Sequence, residues 1–100
     1  MYRHLFLFPS TADPEKVEAF VGEKLVPLLK ESKGFLSMTT SVDALMGPGA
    51  RTAPYSRVVE AVFDTLENSL AVPRSEAAQA AEPAVQELGV QIYLFEIREP

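Results

Sequence analysis

Residues 2–15 read YRHLFLFPSTADPE, a run of strand-forming residues followed closely by a helix start. Residues 2–8 are rich in aromatic and aliphatic side chains, which favour a β-strand, and Pro9 ends the run. Asp13 is a good helix N-cap, and Pro14 suits the first helical position because its missing N–H would have no partner there. The stretch predicts a strand that leads directly into a helix.

The predicted helix continues to about residue 32 and is ended by Gly34. Pro27 lies within it, and we expect a bend in the last turn or two because proline removes one backbone hydrogen bond. Apolar residues recur at steps of three and four along this helix, which indicates one buried face made of Val17, Phe20, Val21, Leu25, Leu28 and Leu29.

Three further strands are predicted, at residues 35–46, 55–63 and 90–97. Gly and Pro residues between the first two of them, at residues 47–54, indicate a loop. The pattern therefore predicts four strands in the whole chain.

Two helical pieces are predicted before the last strand. Asp64 and Glu67 have the spacing of a capping box, which predicts a short helix from Asp64 to about Pro73. Residues 75–88 are rich in alanine and predict a second piece, which is interrupted at Pro83 and ended by Gly89. Its small side chains allow close packing against the sheet or against a partner.

The resulting order, β-α-β-β-α-β, is the ferredoxin-like pattern. It predicts an α+β fold in which residues 1–100 form one domain, with a four-stranded antiparallel sheet and the helices on one face. The other sheet face has no cover within the chain, and the common cover is the same face of a second copy. We therefore predict a homodimer with the architecture of a dimeric α/β barrel.

Composition and charge exclude several function classes. The net charge is −5 and the nine Lys and Arg residues are scattered, which argues against nucleic acid and anionic membranes as partners. The chain has no cysteine and one histidine, so we predict neither a metal site nor a cofactor. No signal peptide or long apolar stretch is apparent, so a cytoplasmic location is the expectation.

Three stretches resemble one family, the EthD-like branch of the dimeric α/β-barrel superfamily. They are ADPE at residues 12–15, EKLVPL at residues 23–28 and AVFDTLE at residues 61–67. The second stretch resembles a helix signature that usually reads Glu-x-His-x-Pro-Leu, and Leu25 stands here in place of the histidine. The superfamily includes cofactor-free monooxygenases, polyketide cyclases, lactone isomerases and haem-degrading enzymes, so the resemblance implies the fold more narrowly than the activity.

The alternation of side chains along each strand predicts which residues face the barrel interior. In strand one, Leu5 and Leu7 are expected to meet the helices, which would turn the other set inward. In strand three, Val59, Ala61 and Phe63 are assigned to the helix side. In strand four, Ile92 and Leu94 are assigned to the same side. The predicted inner face then combines aromatic and polar groups in the manner of a small-molecule pocket, and its members are His4, Phe6, Ser37, Thr39, Glu60, Tyr93 and Phe95.

His4 and Glu60 are the candidate catalytic residues. As a pair they would form a general base with its carboxylate partner. In the alternative, His4 is a half-buried structural histidine, and Glu60 pairs with Arg57 or lies in contact with water. Tyr93 would donate a hydrogen bond to a ligand carbonyl, and Phe6, Ser37, Thr39 and Phe95 would line the ligand site.

Two functions follow from this interpretation. In the first, the barrel binds a small apolar or aromatic molecule, with cofactor-independent oxygenase, isomerase or cyclase chemistry in which His4 takes a proton from a phenol or enol. In the second, the protein is a non-catalytic accessory or structural homodimer whose barrel is filled by side chains. Leu25 in place of the usual histidine favours the second interpretation.

Overall fold

The sheet has the strand order that the sequence predicts. A computed structural model describes residues 1–100, the side chain of Ala50 excepted, and all neighbouring strands in it are antiparallel. The order across the sheet is β2-β3-β1-β4, which confirms the ferredoxin-like topology, and the strands are β1 (Tyr2–Pro9), β2 (Phe35–Thr40), β3 (Tyr55–Phe63) and β4 (Gln91–Glu96).

The first helical segment contains a π-helical turn. Helix α1 (Pro14–Phe20) begins at Asp13, whose carboxylate accepts a hydrogen bond from the Glu15 N–H, and it leads into a π-helical turn (Val21–Leu25) and helix α2 (Val26–Glu31). The Val26 N–H bonds to the carbonyl of Val21, five residues back. The irregularity expected at Pro27 thus takes the form of one wide turn just before the proline, which lacks an N–H for the regular helical pattern.

The N-cap of the second helical segment lies one residue later than predicted. Helix α3 (Leu66–Ala71) is capped by Thr65, whose Oγ1 accepts a hydrogen bond from the Asn68 N–H at 3.1 Å. Asp64 instead accepts hydrogen bonds from the Thr65 N–H at 2.7 Å and the Asn68 side chain at 2.8 Å. The prediction of Asp64 as the cap is therefore wrong, because Thr65 holds the position from which a side chain reaches the free N–H groups.

Helix α4 (Glu76–Leu88) follows a short 3₁₀ turn (Val72–Arg74) and runs through Pro83 without the predicted interruption. Proline has no N–H to donate to the backbone carbonyl four residues earlier. Because Pro83 is exposed, that carbonyl can bond to water instead. The helix is closed by Gly89, whose φ of 70° is the left-handed conformation typical of a C-terminal glycine. None of the helices in the described part of the chain is long and apolar enough to cross a membrane.

Strand β2 ends at Thr40 and not at residue 46 as predicted. Asp43 has a φ of 59°, which no extended strand can contain. The connection to β3 then includes a 3₁₀ turn (Pro48–Ala50) and an isolated bridge between Met46 and Thr52.

The core lies between the helices and one face of the sheet. On β3, Val59, Ala61 and Phe63 are buried there, as predicted. On β1, the buried side chains are His4, Phe6 and Phe8, so the predicted orientation of strand one is wrong. The register pairs Phe6 with Val59, and paired residues of neighbouring strands share a face.

The opposite sheet face carries no helix among the described residues and is called the open face below. Leu5 pairs with Glu60 of β3 and with Tyr93 of β4, and paired residues share a face, so these three side chains all lie on the side away from the core. Tyr93 and Phe95 are 53% and 41% exposed there, which agrees with their predicted orientation. The face contains Arg3, Leu5, Leu7, Ser37, Thr39, Val58, Glu60, Val62, Tyr93 and Phe95.

Two glycines give a matched test of this packing. Gly34 has a φ of 85°, and a Cβ added there would lie 2.8 Å from the Asn68 Cβ. We expect Gly34→Ala to lower the free energy of unfolding by about 2 kcal/mol or more, from left-handed strain and the clash together. Gly22 lies within the helical segment with nothing within 4 Å of an added Cβ. Gly22→Ala should raise the free energy of unfolding by up to about 1 kcal/mol. Urea denaturation measures the free energy of unfolding of both variants. Equal changes in the two would contradict the close packing of Gly34 against Asn68.

Candidate functional site

A cavity of about 160 Å³ lies between the sheet and the helices, on the core side of the sheet. Strands β1 and β4 form its floor through His4, Phe6, Ile92 and Leu94. The first helical segment contributes Phe20, Leu25 and Leu28. The cavity is therefore enclosed by elements of one chain, whereas the predicted pocket faced a second copy.

The 3₁₀ turn (Val72–Arg74) and helix α4 complete the wall. Their lining residues are small or apolar except for one carboxylate at the rim, and they are Val72, Pro73, Ala78, Ala81, Glu82 and Val85. Ala78 and Ala81 belong to the alanine-rich stretch whose small side chains predict close packing. At these two positions the short side chains border open space, so the composition of α4 helps to create the cavity.

His4 is the only side chain among the strand residues of this wall that can carry a charge. It is 4% exposed, and its ring lies with its centroid 5.0 Å from that of Phe63 and 6.2 Å from that of Phe6. Burial among these rings lowers the pKa of the His4 imidazole from its ordinary value of 6.5, and a hydrogen bond to the backbone of Ser69 opposes this only in part. His4 is therefore neutral at physiological pH.

The two ring nitrogens of His4 have different surroundings. Nε2 is buried and has no hydrogen-bond partner within the described residues. Because Nε2 has no partner, we assign the contact with the Ser69 backbone to Nδ1. A neutral imidazole that donates from Nδ1 carries a lone pair on Nε2. An imidazole lone pair in an apolar wall can accept a hydrogen bond from a ligand or remove a proton from it.

The predicted pairing of His4 with Glu60 is wrong. His4 pairs across the strands with Ala61, and Glu60 is the neighbour of Ala61 in the chain, so the two side chains lie on opposite faces of the sheet. On the open face, Glu60 lies 3.9 Å from the Arg3 Nε and accepts a hydrogen bond from the Thr39 Oγ1 at 3.4 Å.

The predicted site residues are thus divided between two faces. Phe6 accompanies His4 in the cavity. The other predicted ligand-binding residues lie on the open face, and they are Ser37, Thr39, Tyr93 and Phe95. The alternative partner for Glu60 does not apply either, because Arg57 forms an ion pair with Glu18 on α1.

Sequence reasoning missed the helical half of the cavity wall. Leu25 and Leu28 have the three- and four-residue spacing that also marks an ordinary core, so nothing in that pattern separates a cavity wall from a packed one. Ala78, Ala81 and Glu82 gave a weak signal, since small residues next to a carboxylate on an apolar helix face leave space beside a polar group. No group of three or more His, Asp or Glu residues suited to a metal ion occurs in the described residues.

Solved structures of other proteins share this fold. An EthD family protein from Bacillus halodurans C-125 superimposes with a TM-score of 0.77 over 98% of this chain and 99% of that chain, at 16% identity. SnoaB, a cofactor-independent oxygenase from Streptomyces nogalater, gives a TM-score of 0.75 over 99% of this chain and 94% of that chain, at 16% identity. A dimeric ferredoxin-like protein of unknown function from Thermobifida fusca YX gives 0.70 over 96% and 90%, at 20% identity.

No protein-family model and no curated protein matches the sequence. The resemblance to EthD-like proteins is confirmed at the level of the fold, which this chain shares with these proteins over almost its whole length.

The lowered pKa of His4 predicts a pH dependence of stability. The unfolded chain binds the His4 proton more readily than the folded protein does, so protonation favours unfolding. The contribution of His4 to the free energy of unfolding is fully present above the unfolded pKa of about 6.5 and is lost as the pH falls below it towards the folded pKa.

We expect the free energy of unfolding to fall more steeply between about pH 7 and pH 5.5 in the wild-type protein than in a His4→Phe variant. Urea denaturation at several pH values measures this difference, and an NMR titration reads the pKa of the single histidine directly. Parallel pH profiles for the two proteins would show that protonation of His4 does not destabilise the folded protein.

Proposed function

We propose that this protein binds a small apolar or aromatic molecule in the cavity between the sheet and the helices, with His4 as the polar contact. One observation carries the proposal, namely the buried and unpartnered Nε2 of His4 in an otherwise apolar wall. A buried polar atom without a partner costs about 1–3 kcal/mol, and a ligand hydroxyl would remove that cost.

The same geometry supports proton abstraction. Nε2 would take the proton of an acidic ligand O–H, while Nδ1–H keeps its hydrogen bond to the Ser69 backbone and fixes the ring. The resulting anion and the imidazolium would stabilise each other, because charges attract strongly where water is excluded. An oxygenase, isomerase or cyclase reaction can begin from such an anion without a cofactor. SnoaB, which shares the fold, is itself a cofactor-independent oxygenase.

Leu25 restricts the chemistry to one imidazole. It is 4% exposed and lines the cavity at the position where the resemblance to EthD-like proteins leads one to expect a histidine. The chain contains one histidine in all, so proton abstraction by an imidazole falls to His4. A reaction that needs two imidazoles is not proposed for this protein.

We also propose that two copies associate through the open face. Leu5, Leu7, Val58, Val62, Tyr93 and Phe95 give that face a largely apolar surface, and such surfaces are usually covered. The similar Thermobifida fusca protein is dimeric. A structural homodimer without a ligand is the second candidate function, and the open face is the observation that favours it.

Filling the cavity tests ligand binding. At ten times its Kd, a bound ligand adds about 1.4 kcal/mol to the free energy of unfolding, so small aromatic compounds such as benzene, phenol and toluene should raise the Tm by several degrees. Ala78→Leu places a larger side chain in the cavity and should abolish the increase. Ala80→Leu is the matched control, because Ala80 is an exposed position of the same helix that does not line this cavity. If none of the compounds shifts the Tm of the wild-type protein, ligand binding is refuted and the structural homodimer is favoured.

A charge on the open face tests self-association. We expect the wild-type protein to sediment as a dimer at about 10 µM and Tyr93→Asp to weaken the dimer at least tenfold, because the carboxylate would be desolvated in the interface. The control is Leu66→Asp, which changes a residue 45% exposed on helix α3, away from the open face. Analytical ultracentrifugation of the three proteins decides the matter, and a monomeric wild-type protein would contradict the proposal.

A further inference from the structure

The volume of the cavity matches a ligand with a single ring. An apolar cavity of about 150 Å³ lined by aliphatic and aromatic side chains is large enough to bind benzene. The cavity beside His4 has a volume of about 160 Å³ and a wall of the same kind. A molecule with two or more fused rings would extend out of this space towards the solvent, past the exposed residues Pro73, Glu82 and Ile92.

The charges around the cavity disfavour an anionic ligand. No Lys or Arg lines it in the part of the chain that the structure describes, and the charged group at its rim is the carboxylate of Glu82. A buried carboxylate or phosphate would therefore lose its hydration without gaining a counterion, and Glu82 would repel it. Glu82 is exposed and accepts a hydrogen bond from the Gln86 side chain at 3.2 Å. Its repulsion of an anionic ligand is therefore modest and is reduced by salt.

The hydrogen-bonding groups of the wall favour a ligand with one hydrogen-bond donor. Apart from Glu82, the lining side chains are apolar except for His4, whose Nε2 offers a lone pair and no N–H. A ligand with one O–H would satisfy Nε2, whereas a second O–H deep in the cavity would be buried without a partner.

We propose that the cavity takes a neutral, single-ring molecule with one hydrogen-bond donor, such as a monophenol or a comparable cyclic enol, and that Glu82 at the rim discriminates against anionic analogues. This inference rests on the proposed function, since it specifies the ligand of the same cavity.

Three ligands of similar size test it, namely phenol, toluene and benzoate. Phenol and toluene differ chiefly in the donor, and benzoate adds the charge. By calorimetry at low salt we expect phenol to bind at least tenfold more tightly than benzoate. The preference for phenol over toluene, corrected for their transfer from water to hydrocarbon, should fall about five- to tenfold in His4→Leu, which is the usual value of one hydrogen bond.

Glu82→Gln keeps the shape of the rim and removes its charge. In this variant benzoate should bind two- to fivefold more tightly while the affinity for phenol stays unchanged, as expected for an exposed charge. Gln79→Glu is a matched control, because it adds a carboxylate at an exposed position of the same helix that does not line the cavity.

An NMR measurement keeps the inference testable if His4→Leu does not fold. The single histidine gives one set of imidazole signals, and phenol should shift the Nε2 resonance of the wild-type protein while toluene should leave it in place. Equal affinities for phenol and toluene with no shift would overturn the donor requirement and leave apolar binding intact. Benzoate binding as tight as that of phenol would overturn the charge selection, and no binding of any of the three would refute the proposed function itself.

Discussion

The pairing of β1 with a neighbour on each side is the constraint on which the rest of the molecule depends. Phe6 is held opposite Val59 of β3 and Ile92 of β4 by two backbone ladders. Because side chains alternate along a strand, these pairings determine the face of every other residue in β1. They put His4 under the helices and leave Arg3 and Leu5 on the open face, so one register decides both the cavity and the surface that remains to be covered.

The helices add a layer that does not close completely over the sheet. Large side chains such as Phe20 and Leu29 fill the space between the layers, whereas Ala78 and Ala81 leave part of it empty. A void lined by apolar atoms loses packing contacts, and the polar atom beside it has no partner. Both costs are concentrated around His4, which is where a ligand would recover them.

Each face of the sheet therefore has a different unfavourable feature. The helix side has a cavity beside a neutral imidazole, and the open face has an apolar surface around a partly exposed Arg3–Glu60 ion pair. The lowered pKa of His4 is a consequence of burial on the first side. Glu60, on the second side, has the solvent and the cation that a carboxylate in a strand requires.

The sequence by itself determined the order of elements, the caps at Asp13 and Gly89, and the burial of Val59, Ala61 and Phe63, because these depend on local periodicity and turn chemistry. It could not orient β1, since both of its alternating sets contain large apolar residues and hydrophobicity cannot choose between them. Only the tertiary structure decided that His4 and Glu60 lie apart and that the helices complete the cavity. The physical reason is that the register of a strand is decided by its partners, and the space above a sheet is decided by side chains distant in the chain.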